Sequence, residues 1–327
     1  MIVELFADAG MVPNIEPQDL DWKYWRPYRE WAGSRSFLLA TGNNPIAHCG
    51  VMPRWCSWGT TRVAMIQPID WVARPGSGGA GIALMKQVRR RTQALLSIGG
   101  SAHTLSIVPH MGFKPLDHVT GYARPLHPLR RVSGSVVGLL PRLARSYAWK
   151  LTAPAARAPG WRVRPIIASD LARIAHVFPV ARTGMALLER SVELFRYVLS
   201  CPIVPFSLFA VERAGQIEGY FLLATAPGQV RIADCWMSSE EPAAWRALIL
   251  CAIAQAKQDP QAAEVVAWAN DRLLTAALGA CGFHARFRVP VQILPANEAA
   301  MPPVPLRVQL LDSDAAYLNP RERVFWA

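Results

Sequence analysis

The sequence predicts a mixed α/β fold in which a mostly antiparallel central sheet, flanked by helices, occurs in two tandem copies. The length of 327 residues corresponds to two domains of ordinary size. Hydrophobic residues make up 52% of the chain and charged residues 18%, which is enough apolar material for two cores. Extensive intrinsic disorder is therefore excluded. The third observation is an internal repeat.

Each half of the chain contains the same succession of elements. It starts with a hairpin pattern, in which two β-favouring runs flank a polar break. These segments are 37–40, 41–45 and 46–50 in the first half, and 208–211, 212–216 and 217–220 in the second. A short apolar run, 94–98 or 265–268, then leads through a helical stretch to a Gly-Phe pair. Gly112 follows Ile46 by 66 residues and Gly282 follows Ile217 by 65, so we interpret the chain as a tandem duplication.

The repeat divides the sequence into four parts. We expect an N-terminal domain at 1–126, a basic linker at 127–160, a C-terminal domain at 161–298 and a tail at 299–327. In the linker, 136–150 alternates apolar residues with cations, which predicts a short basic amphipathic helix with Pro141 near its start or at a kink. A helix that covers the domain junction is favoured, and contact with a membrane surface or an anionic polymer is the alternative.

Composition excludes several classes of protein. The six cysteines form no C-x-x-C pair, which predicts neither a disulfide framework nor a metal site. The longest apolar run, 247–254, is far too short to span a bilayer. Acidic Glu4 and Asp8 stand where a secretory signal carries base, so we expect a cytoplasmic protein. The net charge is +12, and only five of the 35 cations are lysine, which favours a phosphate-bearing ligand over DNA.

The second half resembles the GNAT superfamily of acyl-CoA-dependent N-acyltransferases. Residues 161–165 match its first strand, and Ser169 or Asp170 is the predicted N-cap of the next helix. The remaining elements follow in the family's order: hairpin strands within 206–226, a strand at 230–237, a helix at 242–257, a strand at 264–268 and a helix that ends at Gly282. The first half follows from its hairpin onward, so the resemblance covers most of residues 20–295. It implies two tandem GNAT-like domains.

The resemblance also implies acetyl-CoA or another acyl-CoA as cofactor. GNAT proteins hold its pyrophosphate on a turn with the pattern Arg/Gln-x-x-Gly-x-Gly/Ala between a strand and a helix, where N–H groups and the helix dipole favour an anion. The first half has such a turn at 75–81 after a strand at 63–72, but Gly76 replaces the Arg or Gln. The implied cofactor-binding residues are Val72, Ser77, Gly78, Gly79, Ala80, Gly81, Ile82 and Ser101.

The equivalent turn of the second half, 238–242, contains two glutamates and a proline, which oppose phosphate binding. We therefore interpret the second domain as a degenerate copy.

Asp70 is the first candidate for a general base, because the family keeps an acid near this place on the strand that enters the loop. Asp234 has a similar place in the second half, so the alternative is that both aspartates satisfy buried backbone groups. The family's tyrosine general acid is replaced by Val108 and Leu278. His110 is the substitute candidate, with an exposed histidine at a helix end as the alternative.

The segment 21–31 interleaves aromatic residues with arginine, which is typical of sugar or base stacking and also of core packing. It resembles the start of a GNAT subgroup that accompanies surface-polysaccharide biosynthesis genes. We therefore expect an N-acyltransferase acting on an amine of a small molecule, with a sugar or glycan precursor as the suggested acceptor. The alternatives are a non-catalytic GNAT-fold protein that binds a saccharide, a nucleotide-sugar or a protein, and a Fem-type aminoacyl transferase.

Overall fold

The computed structural model describes residues 2–10, 17–131, 139–182, 184–318 and 326. Its strands are β1 (Ser36–Thr41), β2 (Asn44–Trp58), β3 (Thr61–Ala73), β4 (Ala94–Ile98), β5 (Lys114–Pro125), β6 (Trp161–Ile166), β7 (Ala186–Leu188), β8 (Phe206–Arg213), β9 (Gln216–Ala226), β10 (Gln229–Met237), β11 (Glu264–Ala269), β12 (His284–Pro295) and β13 (Leu306–Arg307). Its α-helices are α1 (Ile2–Asp8), α2 (Pro17–Leu20), α3 (Ala80–Arg89), α4 (Ala102–Ile107), α5 (Leu139–Thr152), α6 (Val192–Leu199), α7 (Pro242–Ala256) and α8 (Arg272–Ala280). The mostly antiparallel strands, flanked by helices, confirm the predicted fold class.

The chain forms two compact units, and each draws on both halves of the sequence. Unit 1 consists of Met1–Asp117, Val180–Glu189 and Pro290–Leu306, and unit 2 of His118–Pro179, Arg190–Val289 and Arg307–Ala327. In unit 2, residues 120–125 of β5 pair with β11. In unit 1, residues 291–295 of β12 pair with β4. Unit 2 thus contains residues 120–125 of β5, from the first half of the sequence, and unit 1 contains residues 291–295 of β12, from the second half.

The sheet of unit 1 has the order β7, β2, β3, β4 and the end of β12, and β1 pairs with the start of β2. Helix α3 buries Leu84, Met85 and Val88 in a core with Ile66 and Leu95 of the sheet. Ile82, in the first turn of the same helix, is 36% exposed. Separate apolar clusters join α1 to Val72, and join Leu20 and Tyr24 to Ile69.

The sheet of unit 2 has the order β5, β11, β10, β9, β8 and β6. The β8–β9 hairpin turns at Ala214 and Gly215, whose positive φ angles of 48° and 81° suit the twist of a two-residue turn. The expected N-cap at Ser169 or Asp170 is wrong. A 3-10 helix covers Ala168–Val177, its N-cap is Ile167, and no side chain caps it.

Parallel pairing is short in both units. Within the described residues, β3 and β4 pair at Met65–Ala94 and Ile66–Leu95, although β3 continues to Ala73. Likewise, β10 pairs with β11 only as far as Ile232–Ala267 and continues to Met237. The last seven residues of β3 therefore leave the edge of β4, and they lead directly into the glycine-rich turn.

Candidate functional site

The glycine-rich turn connects the end of β3 to the first residue of α3. Gly76 and Gly79 have φ angles of 81° and 76°, a region that residues with a Cβ rarely adopt. Ser77 closes the turn, because its hydroxyl donates to the carbonyl of Arg74 at 2.6 Å and its N–H donates to the same oxygen at 3.1 Å. Gly79 is the N-cap of α3 and has no side chain to accept from the first N–H groups. The N–H of Ala80 donates to the carbonyl of Ser77 at 3.0 Å, so the donors left for an anion are the next N–H groups of the first turn.

A cavity of about 410 Å³ lies against this turn in unit 1. It is lined by residues 71–82 and by three side chains of α4. Seven of the eight residues predicted to bind the cofactor line it, namely Val72, Ser77, Gly78, Gly79, Ala80, Gly81 and Ile82. A Cβ added at Gly76, Gly78 or Gly79 would meet no atom within 4 Å, so the turn faces open space. The cavity therefore has room for a ligand beside the helix terminus.

Ser101 lies outside this lining. Its hydroxyl accepts from the N–H of Thr104 at 3.1 Å and caps α4, while His103, Thr104 and Ile107 of that helix face the cavity. Ser101 thus positions the helix that forms the second wall.

Arg74 is a lining residue that the sequence motif did not identify. Its guanidinium donates to Asn44 Oδ1 at 2.8 Å and lies 3.1 Å from Asp8 Oδ2. Among the described residues, its buried Nε has no hydrogen-bond partner. Arg74 stands two residues before Gly76, so it brings a guanidinium, paired with Asp8, to the turn from outside the family's spacing. The signal in the sequence was an arginine next to the Pro-Gly of the turn.

Asp70 lies where β3 departs from regular pairing with β2. The register shifts between His48 and Gly50, and Asp70 has a positive φ of 46°. Such a bulge redirects a side chain and is often found next to active sites. The carboxylate is 8% exposed, forms an ion pair with Lys23 and accepts from the Tyr24 hydroxyl at 2.5 Å. Asp70 is thus bound by two side chains, and the next residue, Trp71, lines the cavity.

His48 completes this buried cluster. Its Nδ1 is 3.2 Å from the carbonyl oxygen of Asp70, and its Nε2 is 3.0 Å from the Ser36 hydroxyl. Because a carbonyl only accepts, Nδ1 carries the hydrogen, and Nε2 of the neutral ring accepts from Ser36. The ring contacts Phe6 and Tyr24 edge to face. Burial lowers the pKa of His48 below its usual value, against the opposing effect of Asp70.

Asp234 has different surroundings in unit 2. It also follows a register shift, between Ile232 and Asp234, but its carboxylate is fully buried. Arg190 binds both of its oxygens, at 2.7 and 3.0 Å, and the Tyr220 hydroxyl donates at 2.7 Å. Gln309 donates to the same carboxylate at 2.7 Å. Side chains, rather than the backbone groups considered from the sequence, are the partners shown for both aspartates.

His110 and the aromatic segment 21–31, the remaining predictions from the sequence, lie apart from the residues that line the cavity. His110 is exposed on the 3-10 helix Val108–Met111. Cys49 is fully buried, and burial together with the Asp70 carboxylate raises the pKa of its thiol. Trp22 and Tyr24 of the aromatic segment are buried, which supports the core-packing interpretation for these two rings.

Within the described part of the chain, no three His, Cys, Asp or Glu side chains are grouped as metal ligands. The helices of that part include none that is long and apolar enough to cross a membrane.

Comparisons of sequence give no relatives: no protein-family model matches the chain, and no curated protein is significantly similar. Comparisons of structure, in contrast, find similar proteins. A probable N-acyltransferase from Enterococcus faecalis V583 superposes with a TM-score of 0.59 at 12% identity over 90% of this chain and 69% of that one. A GCN5-related N-acetyltransferase from Anabaena variabilis ATCC 29413 gives 0.57 at 12% identity over 90% and 70%.

A third solved structure, Saccharomyces cerevisiae N-myristoyltransferase with bound myristoyl-CoA and inhibitors, gives a TM-score of 0.60 at 14% identity, over 90% of this chain and 76% of that one. These identities are low, so the similarity concerns the arrangement of the backbone. The chain therefore has the fold of the GCN5-related N-acetyltransferases.

Proposed function

We propose that this chain is an acyl-CoA-dependent N-acyltransferase. The observation that carries the proposal is the cavity at the N-terminus of α3, with its glycine turn open to the ligand side. Donors from the start of α3 and the charge of Arg74 would hold the pyrophosphate. The bound acyl-CoA would supply the acyl group of its thioester: a C–N bond to the amine would form, the C–S bond would break, and CoA would leave as the thiol. Either acetyl-CoA or a longer acyl-CoA is compatible with this proposal.

Asp70 is our proposed general base. A buried carboxylate on a bulged strand, next to the first cavity residue, can take a proton from an acceptor amine directly or through water. Lys23 and Tyr24 orient this carboxylate, so an acceptor ammonium would have to compete with the Lys23 ammonium for it. Tyr24 also brings a phenol to the cluster, whereas Val108 at the family's tyrosine position has no proton to donate. The role of His110 as general acid remains a proposal, and its exposed position does not support that role.

Ligand binding by the full-length chain tests the cofactor proposal. Acetyl-CoA, myristoyl-CoA and free CoA would each be titrated calorimetrically into the wild type and Gly78→Ala. Gly78 has an ordinary φ and an added Cβ meets only open space, so the variant should fold normally while its methyl group enters the proposed phosphate site. We expect at least tenfold weaker binding. Gly279→Ala, another exposed position with open space, is the matched control and should bind like the wild type.

The proposal fails if a folded wild-type chain produces no heat with any of these ligands at millimolar concentration. It also fails in its placement of the site if Gly78→Ala binds as tightly as the wild type.

The base proposal is tested separately, with an amine acceptor found by screening. Asp70→Asn should lower kcat by about 100-fold or more and leave the affinity for acyl-CoA unchanged. An unchanged kcat in a folded variant would assign the base to another residue.

Two further proposals concern the organisation of the chain and the identity of the acceptor. We propose a tandem duplication with the predicted boundaries 1–126 and 161–298, supported by N-caps at Ser101 and Asp271 and by left-handed Gly112 and Gly282 at matching places. We also propose an amine on a sugar or glycan precursor as the acceptor, on the resemblance of segment 21–31. A cytoplasmic location remains our proposal as well.

The non-catalytic alternative has one observation in its favour, which is that Lys23 and Tyr24 already occupy the Asp70 carboxylate. A saccharide, nucleotide-sugar or protein ligand that binds equally well to Gly78→Ala would support it. The Fem-type alternative predicts affinity for aminoacyl-tRNA that falls steeply with salt.

A further inference from the structure

Among its described side chains, those of helix α5 that pack on the rest of unit 2 lie on one side of the helix. Ser146 is fully buried, and the Trp149 ring stacks on His284 with 3.9 Å between ring centroids and 12° between ring planes. The guanidinium carbons of Arg145 and Arg286 lie 5.1 and 5.3 Å from the centroid of the same ring. These contacts define an inner face, and the opposite face points to solvent.

The solvent face of α5 is apolar, which reverses the usual pattern of a surface helix. Leu140 is 69% exposed and Leu151 is 82% exposed, and Tyr147 between them is 37% exposed. With the exposed Ala144, they recur at intervals of four, three and four residues, so they form one stripe along the helix. Leu129, in the neighbouring short helix Pro128–Arg131, is 65% exposed. Exposed apolar surface of this extent is a mark of an interaction site.

Cations lie near this stripe. Residues 118–169 contain nine Lys and Arg and no Asp or Glu, although Arg124 is buried and Arg164 forms an ion pair with Glu212. Burial lowers the pKa of His127, and the nearby charges of Arg130, Lys150 and Lys257 lower it further. Burial also lowers the pKa of Lys257, with added repulsion from Arg124 and Lys150. Cations close enough to repel one another, with no carboxylate in this stretch of sequence, favour an anionic partner.

We propose that α5 docks on an anionic lipid surface, with Leu140, Tyr147 and Leu151 at the boundary between headgroups and acyl chains and with Lys150 on the lipid phosphates. An apolar helical stripe flanked by cations is the pattern of helices that lie in the plane of a membrane interface. Fourteen residues reach about 21 Å, which is too short to cross a bilayer. This location adds to the proposed function and does not depend on it. The predicted amphipathic segment 136–150 thus lies in the docking helix, apart from 136–138, which are outside the described residues.

Co-sedimentation of the full-length chain with vesicles tests this proposal. Vesicles of phosphatidylcholine with 30% phosphatidylglycerol should bind the wild type at least tenfold more tightly than pure phosphatidylcholine, and high salt should weaken the binding. The double variant Leu140→Gln with Leu151→Gln should lose at least tenfold in vesicle affinity. Ile167→Gln, at another apolar side chain of the unit that is 63% exposed, is the control and should bind as the wild type does.

Three outcomes would overturn the proposal. The first is equal binding to neutral and anionic vesicles, or none to either. The second is anionic binding that the two leucine changes leave intact, with heparin competing fully, because that result indicates a site for a charged polymer. The third is a concentration-dependent dimer that the leucine changes abolish while vesicle binding persists, because the stripe would then cover a second copy.

Discussion

Gly50 of β2 lies beneath the ring of Tyr24: a Cβ at this position would stand 2.5 Å from Cε1 of the tyrosine and 3.3 Å from Cγ1 of Ile69. No side chain fits in that space while the ring stays where it is. The absence of a side chain at residue 50 therefore lets the Tyr24 hydroxyl reach the Asp70 carboxylate.

We expect Gly50→Ala to displace the Tyr24 ring and to break its hydrogen bond to Asp70. The overpacked site should cost about 1–3 kcal/mol of the free energy of unfolding, measured by urea denaturation. Tyr24→Phe, which removes only the hydroxyl, should cost about 1 kcal/mol. An unchanged stability of Gly50→Ala would show that the ring is free to move elsewhere.

We predict that substitutions of Lys23 and Asp70 have strongly non-additive effects on the free energy of unfolding, because the two side chains form an ion pair. Removal of one partner leaves the other charge in a buried place, so Lys23→Met should destabilise the chain by about 3 kcal/mol or more. Adding Asp70→Asn to Lys23→Met should restore much of that loss. A double-mutant cycle in urea measures the coupling, and additive effects of the two changes would contradict it.

His48 predicts a pH dependence of stability. Its pKa is lowered in the folded chain, so the unfolded chain binds a proton more readily as the pH falls below about 6.5. The contribution of the neutral ring is present above that pH and is lost as the pH falls through the lowered folded value. The unfolding free energy, measured from pH 7.5 to 5, should therefore fall less steeply in His48→Gln than in the wild type. Parallel curves would show that His48 does not cause the slope.

We predict that Arg190 attaches the segment 307–318 to the rest of unit 2. Its guanidinium bridges Asp234 and Asp312, at 2.7 Å to each, and all three side chains are buried. Arg190→Met should destabilise the chain by about 3–5 kcal/mol and make residues 307–318 easier to cleave by protease. Arg196→Met is the matched control, because its ion pair with Glu193 is partly exposed and should contribute less than about 1 kcal/mol.

The sequence predicted the features that depend on neighbouring residues. The β8–β9 hairpin, helix α7 and the turn before α3 follow from local runs, proline and glycine, so their positions agree within a few residues. The 3-10 helix at Ala168–Val177 departs from the prediction, because the cap expected from Ser169 or Asp170 does not form.

Long-range contacts could not be read from the sequence. Lys23 and Tyr24 lie 47 and 46 residues from Asp70, and periodicity gives no information about which strand a distant side chain will meet. Arg74 was missed because the family's spacing pointed to residue 76. The outward stripe of α5 was missed because an alternating pattern shows that a helix is two-faced and leaves open which face packs inward.

Strand β5 pairs with β11 in unit 2, and β12 pairs with β4 in unit 1, so a cut between the two halves of the sequence separates paired strands. A fragment that ends near residue 126 would retain β4 without residues 291–295, and a fragment that begins near residue 161 would retain β11 without residues 120–125. Each fragment would present an open sheet edge, the surface from which aggregation starts. Coexpressed, the two fragments each carry the strand that the other lacks, so they are a natural pair for complementation, soluble together and insoluble apart.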